Sequence, residues 1–155
     1  FAEIVRRDIG PNISDIPGSG AAGGLGGGMI AFLGGHLRPG TDIVLESVGF
    51  EQYLKDANLI ITGEGQLDFQ TVYNKAPIGV AQRAKEKGIP VIAIAGSLGD
   101  GFTNVHEHGI SAAASIIPAP MSLETASEKA FDLVASATEQ AIRMLNTGKD
   151  IFHST

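Results

Sequence analysis

From Asn58 onward, short apolar runs alternate with amphipathic segments, and this alternation restricts the chain more than any other feature. It is the pattern of parallel β-strands joined by crossover helices. The apolar runs are Leu59 to Thr62, Val91 to Ala95 and Ala112 to Ile116. Between the first two, Pro77 suits a first helical position, and Ile78, Ala81 and Ala84 mark one face. Arg83, Lys85 and Lys87 gather before Gly88, where the helix dipole favours cations. A last helix is expected from an N-cap at Ser122 to about Asn146. Its buried stripe would run through Leu123, Ala126, Ala130, Leu133, Ala137, Ala141 and Met144. Residues 149–155 read as a frayed tail.

The first third has a different grammar. Twelve of the 21 glycines fall at or before Gly49, and a domain boundary is expected near Asp56, dividing residues 1–56 from 57–148. Pro17-Gly18-Ser19-Gly20 is a loop signal, and Ala21 to Leu33 reads as a buried helix. Glycine costs a helix about 1 kcal/mol relative to alanine, so five glycines there imply close approach by another backbone or a ligand. Short helices are expected over Thr41 to Val48 and Glu51 to Lys55. Three strands are fewer than the five or six, roughly, of a doubly wound sheet. Either the first third supplies unusual cover, or further strands come from a segment this chain lacks.

Composition removes several functions. A chain of 155 residues makes one ordinary domain or parts of two. With 43% hydrophobic and 18% charged residues it has a packed core; at 6% aromatic and no Trp, that core is mainly Ala, Ile, Leu and Val. Eleven Lys+Arg against 17 Asp+Glu leave a formal charge of −6, which repels nucleic acid and anionic membranes. No stretch approaches the ~20 apolar residues of a membrane helix. The absence of cysteine excludes disulfides, a thiolate nucleophile and a Cys-ligated metal, and is compatible with the cytoplasm, the expected location. The chain begins at Phe1 with no initiator Met and no signal pattern, so a mature or truncated product is expected.

In an open parallel sheet, ligands bind outside the carboxyl ends of the strands. After the first run comes Thr62-Gly63-Glu64-Gly65-Gln66-Leu67-Asp68, in which flanking glycines would turn the backbone tightly and present Glu64 at the rim. Glu64 and Asp68 would suit Mg²⁺, which takes one or two protein carboxylates plus substrate phosphates; a solvated acidic turn fits the same residues. After the second run, Ala95-Gly96-Ser97-Leu98-Gly99 departs by one residue from a hydrolase nucleophile elbow. Gly99 and Gly101 argue against the helix an elbow needs, and the only plausible late histidine, His153, falls in the tail. Gly96 and Ser97 are better read as an anion contact. Pro118 to Ser122 forms a stiff connection that walls a pocket at most. Gly18-Ser19-Gly20-Ala21-Ala22-Gly23 matches G-x-G-x-x-G, yet Ile16-Pro17 is a poor strand end, so a dinucleotide fold is rejected. Its exposed amides remain candidates for holding a carboxylate or phosphate. Lys75 stands at the entrance of the first crossover helix, where an ordinary surface lysine is the alternative. His106 and His108 are two apart and cannot chelate from one helix face, and His36 reads as structural or solvated.

Four motifs occur together and in order: Pro17-Gly18-Ser19-Gly20-Ala21-Ala22-Gly23-Gly24-Leu25-Gly26, Thr62 to Asp68, Lys75-Ala76-Pro77-Ile78-Gly79-Val80-Ala81, and Val91 to Ser97. From about Ile16 to Leu145 the chain closely resembles the carboxyl-terminal portion of bacterial glycerate kinases of the glycerate 2-kinase type. The resemblance implies ATP-dependent phosphorylation of D-glycerate, giving 2-phosphoglycerate, with Mg²⁺. It also implies an α/β fold: part of a doubly wound, flavodoxin-like parallel sheet, plus the tail of a second, inserted α/β domain up to about Asp56. The family is about twice as long as this chain and carries an amino-terminal Asp-Ser-Phe-Lys segment that is absent here. The isolated chain is therefore expected to be inactive, its partner being the missing amino-terminal segment; a homodimer is left open.

On that template Glu64 and Asp68 would hold Mg²⁺, with Asp68 also a candidate base for the glycerate hydroxyl. Lys75 would offset charge on the transferring group. Gly18, Ser19 and Gly20 would bind the substrate carboxylate or phosphate, and Gly96 and Ser97 would line the nucleotide or phosphate pocket. The alternative is a non-catalytic anion- or nucleotide-binding module, with a serine hydrolase third.

Overall fold

The computed structural model describes residues 1–73 and 75–153, and of Asp150, Phe152 and His153 only the backbone. Three parallel strands, β1 (Ile60–Leu67), β2 (Val91–Leu98) and β3 (Ala112–Ser115), form one sheet in the order β1-β2-β3. Two compact units divide between Ile43 and Val44, upstream of the boundary expected near Asp56.

The first unit holds helices α1 (Ala2–Asp8) and α2 (Ala21–Leu33). Close approach in α2 is real but local: a Cβ at Gly26 would stand 2.6 Å from the Gly18 carbonyl oxygen, and one at Gly27 2.9 Å from Ile13 Cδ1. The expectation of a buried helix fails, since Gly27 alone in α2 is buried and Leu25, Met29, Phe32 and Leu33 are exposed. Its first turn is not regular helix either. Ala22, Gly23 and Gly24 all take positive φ, and only the glycines do so without a Cβ penalty.

The second unit carries the sheet. Helix α3 (Gly40–Ser47) crosses the division, followed by α4 (Phe50–Tyr53), both within a residue or two of expectation. Helix α5 (Ala76–Glu86) starts at Lys75 as N-cap, has Pro77 in its first turn, and buries Pro77, Ile78, Ala81 and Ala84. These side chains meet Leu67, Val91, Ala93, Ala95, Val105 and Ile110, the main core. Small residues on both sides let helix and sheet approach closely, which is how a chain with few aromatics fills its interior. On the other face, Ile92 and Ile94 lie under Ala137 and Ala141. Arg83 ties α5 to Glu51 at 3.3 Å and to Glu46 at 4.0 Å.

Two of the three strands outrun their expected ends. The strand β1 does not stop at Thr62 but continues through Gly63, Glu64, Gly65 and Gln66, while β2 includes Gly96 and Ser97; Glu64 pairs with Ala95 and Gln66 with Ser97. The tight glycine turn expected around Glu64 is absent, and neither Gly63 nor Gly65 takes a positive φ. Gly63 and Gly96 serve close backbone approach instead: a Cβ at Gly63 would lie 3.0 Å from the Ile94 carbonyl oxygen, and one at Gly96 would overlap the Gly65 carbonyl oxygen, whereas one at Gly65 meets nothing within 4 Å.

The last helix also departs from expectation. Ser122 is its N-cap, its hydroxyl accepting from Thr125 N–H at 3.1 Å, but the helix breaks at Lys129 into α6 (Leu123–Glu128) and α7 (Ala130–His153). Helix α7 runs past Asn146, so residues 149–153 are helical rather than frayed, and Ser154 and Thr155 lie outside the described residues. Of the apolar stripe only Ala141 is buried, whereas Leu123 is 84% exposed and Met144 66%. No helix among the described residues is long and apolar enough to cross a membrane.

Candidate active site

Two groups of candidate residues lie in different units. In the first unit, Gly18 (φ +86°) turns the chain so that Ser19 N–H donates to Ile16 O and Ala21 N–H to Gly18 O, both at 3.0 Å. The Ser19 carbonyl accepts from Gly27 N–H at 2.8 Å. Of the three amides expected to hold an anion, that of Ser19 is therefore committed to the turn itself.

In the second unit, the parallel strands end in two adjoining clefts. One, of about 520 Å³, is lined by Glu64 with Ile61, Thr62, Gly63, Gly65, Ile94, Gly96, Ile116, Val134 and Thr138. Glu64 is half-buried there, placed by its pairing with Ala95. The other, of about 440 Å³, is lined by Gly65, Gly96 and Ser97 with residues of the β3–α6 connection and of α6 and α7. The topology thus brings Glu64, Gly96 and Ser97 together around Gly65, which the sequence did not single out. Also missed were Ile116, Ile117, Ala126, Ala130, Val134 and Thr138. The only signal for them was the stiff Pro118 to Ser122 loop at a strand end.

Asp68 and Lys75 line neither of these clefts. Asp68 follows β1, and its Oδ1 accepts from Gln70 N–H at 2.9 Å and Thr71 N–H at 3.1 Å. That oxygen is a loop anchor, so any further role falls mainly to Oδ2. Lys75 is half-buried at the head of α5, its carbonyl accepting from Ile78 N–H at 3.1 Å and Gly79 N–H at 3.2 Å. Among the described residues no group of three or more His, Asp and Glu forms a ready metal cage. Because β1 stays extended from Glu64 to Leu67, roughly 13 Å of chain separates Glu64 from Asp68, and the two carboxylates do not form the pair that a tight turn would have made.

The nucleophile elbow is not formed. Ser97 lies within β2, and the next helical residues are the 3-10 turn Phe102–His106. His106 Nδ1 is 2.8 Å from the Ile110 carbonyl, a structural bond. The side chain of His153 is outside the described residues.

The family model of the glycerate kinase family matches residues 1–146. The chain is 53% identical over 137 residues to a glycerate kinase of Halalkalibacterium halodurans, covering 88% of this chain and 36% of that protein. It is 41% identical over 153 residues to the glycerate 2-kinase of Escherichia coli, covering 96% and 40%. A crystal structure of a protein provisionally named glycerate kinase 2, from Salmonella typhimurium LT2, matches with a TM-score of 0.74 at 40% identity, over 96% of this chain and 38% of that one. The chain thus spans well under half the length of these relatives.

Proposed function

Because the chain belongs to the glycerate kinase family, we propose that it supplies part of the active site of an ATP-dependent kinase that phosphorylates D-glycerate at its 2-hydroxyl. The observation that carries this reading is the meeting of Glu64, Gly96 and Ser97 at the carboxyl ends of β1 and β2, where parallel sheets bind ligands. A relative covering nearly the whole chain is named a glycerate 2-kinase.

Phosphoryl transfer asks the protein mainly for positioning and charge neutralisation. Glu64 would hold Mg²⁺, since one carboxylate with phosphate and water oxygens suits that ion, and Asp68, beyond the end of β1, would contribute only through water. When bound, magnesium neutralises charge on the phosphate oxygens. Asp68 Oδ2 accepts the proton of the glycerate hydroxyl, while Oδ1 stays bonded to the loop and fixes the carboxylate plane. The Lys75 ammonium offsets charge on the transferring group. Gly96 and Ser97 line the nucleotide path. The Gly18-Ser19-Gly20 turn holds the substrate carboxylate through Gly18 and Gly20 N–H and the Ser19 hydroxyl. On the same reading residues 1–56 are the tail of an inserted domain and 57–148 half of a flavodoxin-like domain. The protein acts in the cytoplasm, and an amino-terminal polypeptide completes the site.

The test is D-glycerate-dependent ADP release at saturating ATP and Mg²⁺, by the chain alone and with the amino-terminal part of a relative added. Turnover in either condition supports the reading. ATP binding with no turnover in both favours a non-catalytic nucleotide-binding module.

A further inference from the structure

Among the described residues Thr71 is the one buried polar side chain. A hydroxyl kept from water is satisfied inside the protein, and every contact of this one leads to the turn that carries Asp68. It accepts from Asp68 N–H at 2.9 Å, and the acceptors within its own reach are Asp68 Oδ1 at 3.3 Å and the Gln66 carbonyl at 3.5 Å. On either side of Asp68 the backbone is tied to the loop after β2: Gly99 N–H donates to Leu67 O at 2.7 Å and Phe69 N–H to Asp100 O at 2.9 Å. The amide of Asp68 and its Oδ1 are therefore spent, and Oδ2 is the oxygen without a hydrogen bond among the described residues.

We propose that Thr71 is a positioning residue for phosphoryl transfer, whose hydroxyl aims Asp68 Oδ2 at the substrate hydroxyl. This deepens the kinase reading, in which Asp68 takes the hydroxyl proton, and rests on it. The turn alone does not explain the hydroxyl, because the backbone bond from Thr71 N–H to Asp68 O at 3.0 Å already closes it. What the side chain adds is a hold on the amide and carboxylate of Asp68. A base that must take a proton in one geometry gains from losing its freedom beforehand, and a displacement of about 1 Å can cost on the order of a hundredfold in rate. Thr71→Val keeps the shape of the side chain and puts a methyl where the oxygen was. Packed atoms around carbon need about 3.5–4.0 Å, so that methyl cannot stay 2.9 Å from Asp68 N, and it offers Oδ1 no donor. The carboxylate is then free to turn away.

Two measurements test this. The first compares crystal structures of the chain with and without the substitution: in Thr71→Val, Asp68 Oδ2 should move by more than about 0.5 Å, the tolerance of a productive site, and in Thr71→Ser it should stay. The second is glycerate-dependent ADP release with the amino-terminal part of a relative added. Thr71→Val should lower kcat at least tenfold and leave KM for glycerate within twofold, and Thr71→Ser should bring kcat back to within threefold of the parent. Thr71→Val added to Asp68→Asn should cost less than twofold more, because a residue that acts through Asp68 then has no carboxylate to aim. A urea melt checks that each variant folds, and Thr71→Ala, which removes the hydroxyl without adding a methyl against Asp68 N–H, takes the place of Thr71→Val if that variant does not. A carboxylate that stays put, or a loss of kcat that is the same with and without the Asp68 carboxylate, would overturn the proposal and leave the kinase reading standing. No turnover by the unsubstituted assembly defeats the kinase reading, and the proposal falls with it.

Discussion

The hydroxyl of Thr71, a residue with no solvent exposure, accepts from Asp68 N–H at 2.9 Å and lies 3.3 Å from Asp68 Oδ1. Thr71 N–H donates to the same oxygen, and the Gln66 carbonyl is 3.5 Å from the hydroxyl. Side chain and backbone of one residue thus close the turn that follows β1. Removing the hydroxyl leaves a buried Asp68 N–H without its acceptor, which costs about 1–3 kcal/mol. Thr71→Val is expected to lower the urea midpoint accordingly, and Thr71→Ser to restore most of the loss, since only the methyl is then missing.

Asp68→Asn separates loop anchoring from chemistry. An amide oxygen still accepts from Gln70 and Thr71 N–H, so the unfolding midpoint should stay within about 1 kcal/mol of the parent. Turnover with glycerate, measured once the amino-terminal part is added, should fall at least tenfold, because an amide neither takes the hydroxyl proton nor carries the charge that holds magnesium. Near-normal turnover would remove Asp68 from the chemistry and leave it as a loop anchor.

Gly65 and Gly96, which line both clefts, should respond oppositely in stability. Gly96→Ala forces a methyl against the Gly65 backbone and should destabilise by about 1–3 kcal/mol, the usual range for overpacking. Gly65→Ala meets open space and should be neutral or stabilising by up to about 1 kcal/mol. Equal losses at both positions would show that Gly65 is also needed for packing.

Ala22 is the one non-glycine residue among the described residues with positive φ, at +50°. Ala22→Gly relieves a left-handed strain of roughly 1–2 kcal/mol, set against the entropy glycine adds to the unfolded chain. A thermal melt following the first unit should show a net gain of several tenths of a kcal/mol or more. A lower midpoint would mean that the alanine methyl makes a contact worth more than the strain.

Local signals were sufficient where a residue's preference and its surroundings agree. Pro77 at a helix start, the Ile78–Ala81–Ala84 face and the Ser122 cap were all legible, and all are present. They failed where pairing partners decide. Gly63 and Gly65 read as a turn because glycine favours turns, yet both lie in β1, where Gly63 pairs with Ile94, and only the close approach of the Ile94 carbonyl shows why position 63 is glycine. The Ala21–Leu33 run failed for a related reason: apolar content implies burial only if something covers it, and here most of its large side chains are exposed.

By itself the sequence determined the parallel α/β architecture, the alanine-rich core, the membership of the chain in its family, and which residues carry charge near the strand ends. These rest on periodicity and on short motifs, which are properties of neighbours along the chain. Only the tertiary structure decided that Glu64 sits in a strand, that Asp68 Oδ1 is spent on its own loop, that Ser19 N–H turns inward, and that Gly65 and Gly96 join two clefts. The strand pairing of Glu64 and the approach of Gly96 to Gly65 depend on groups distant in sequence, whereas the Asp68 and Ser19 bonds close within three residues and show a use of each group that residue type alone does not encode.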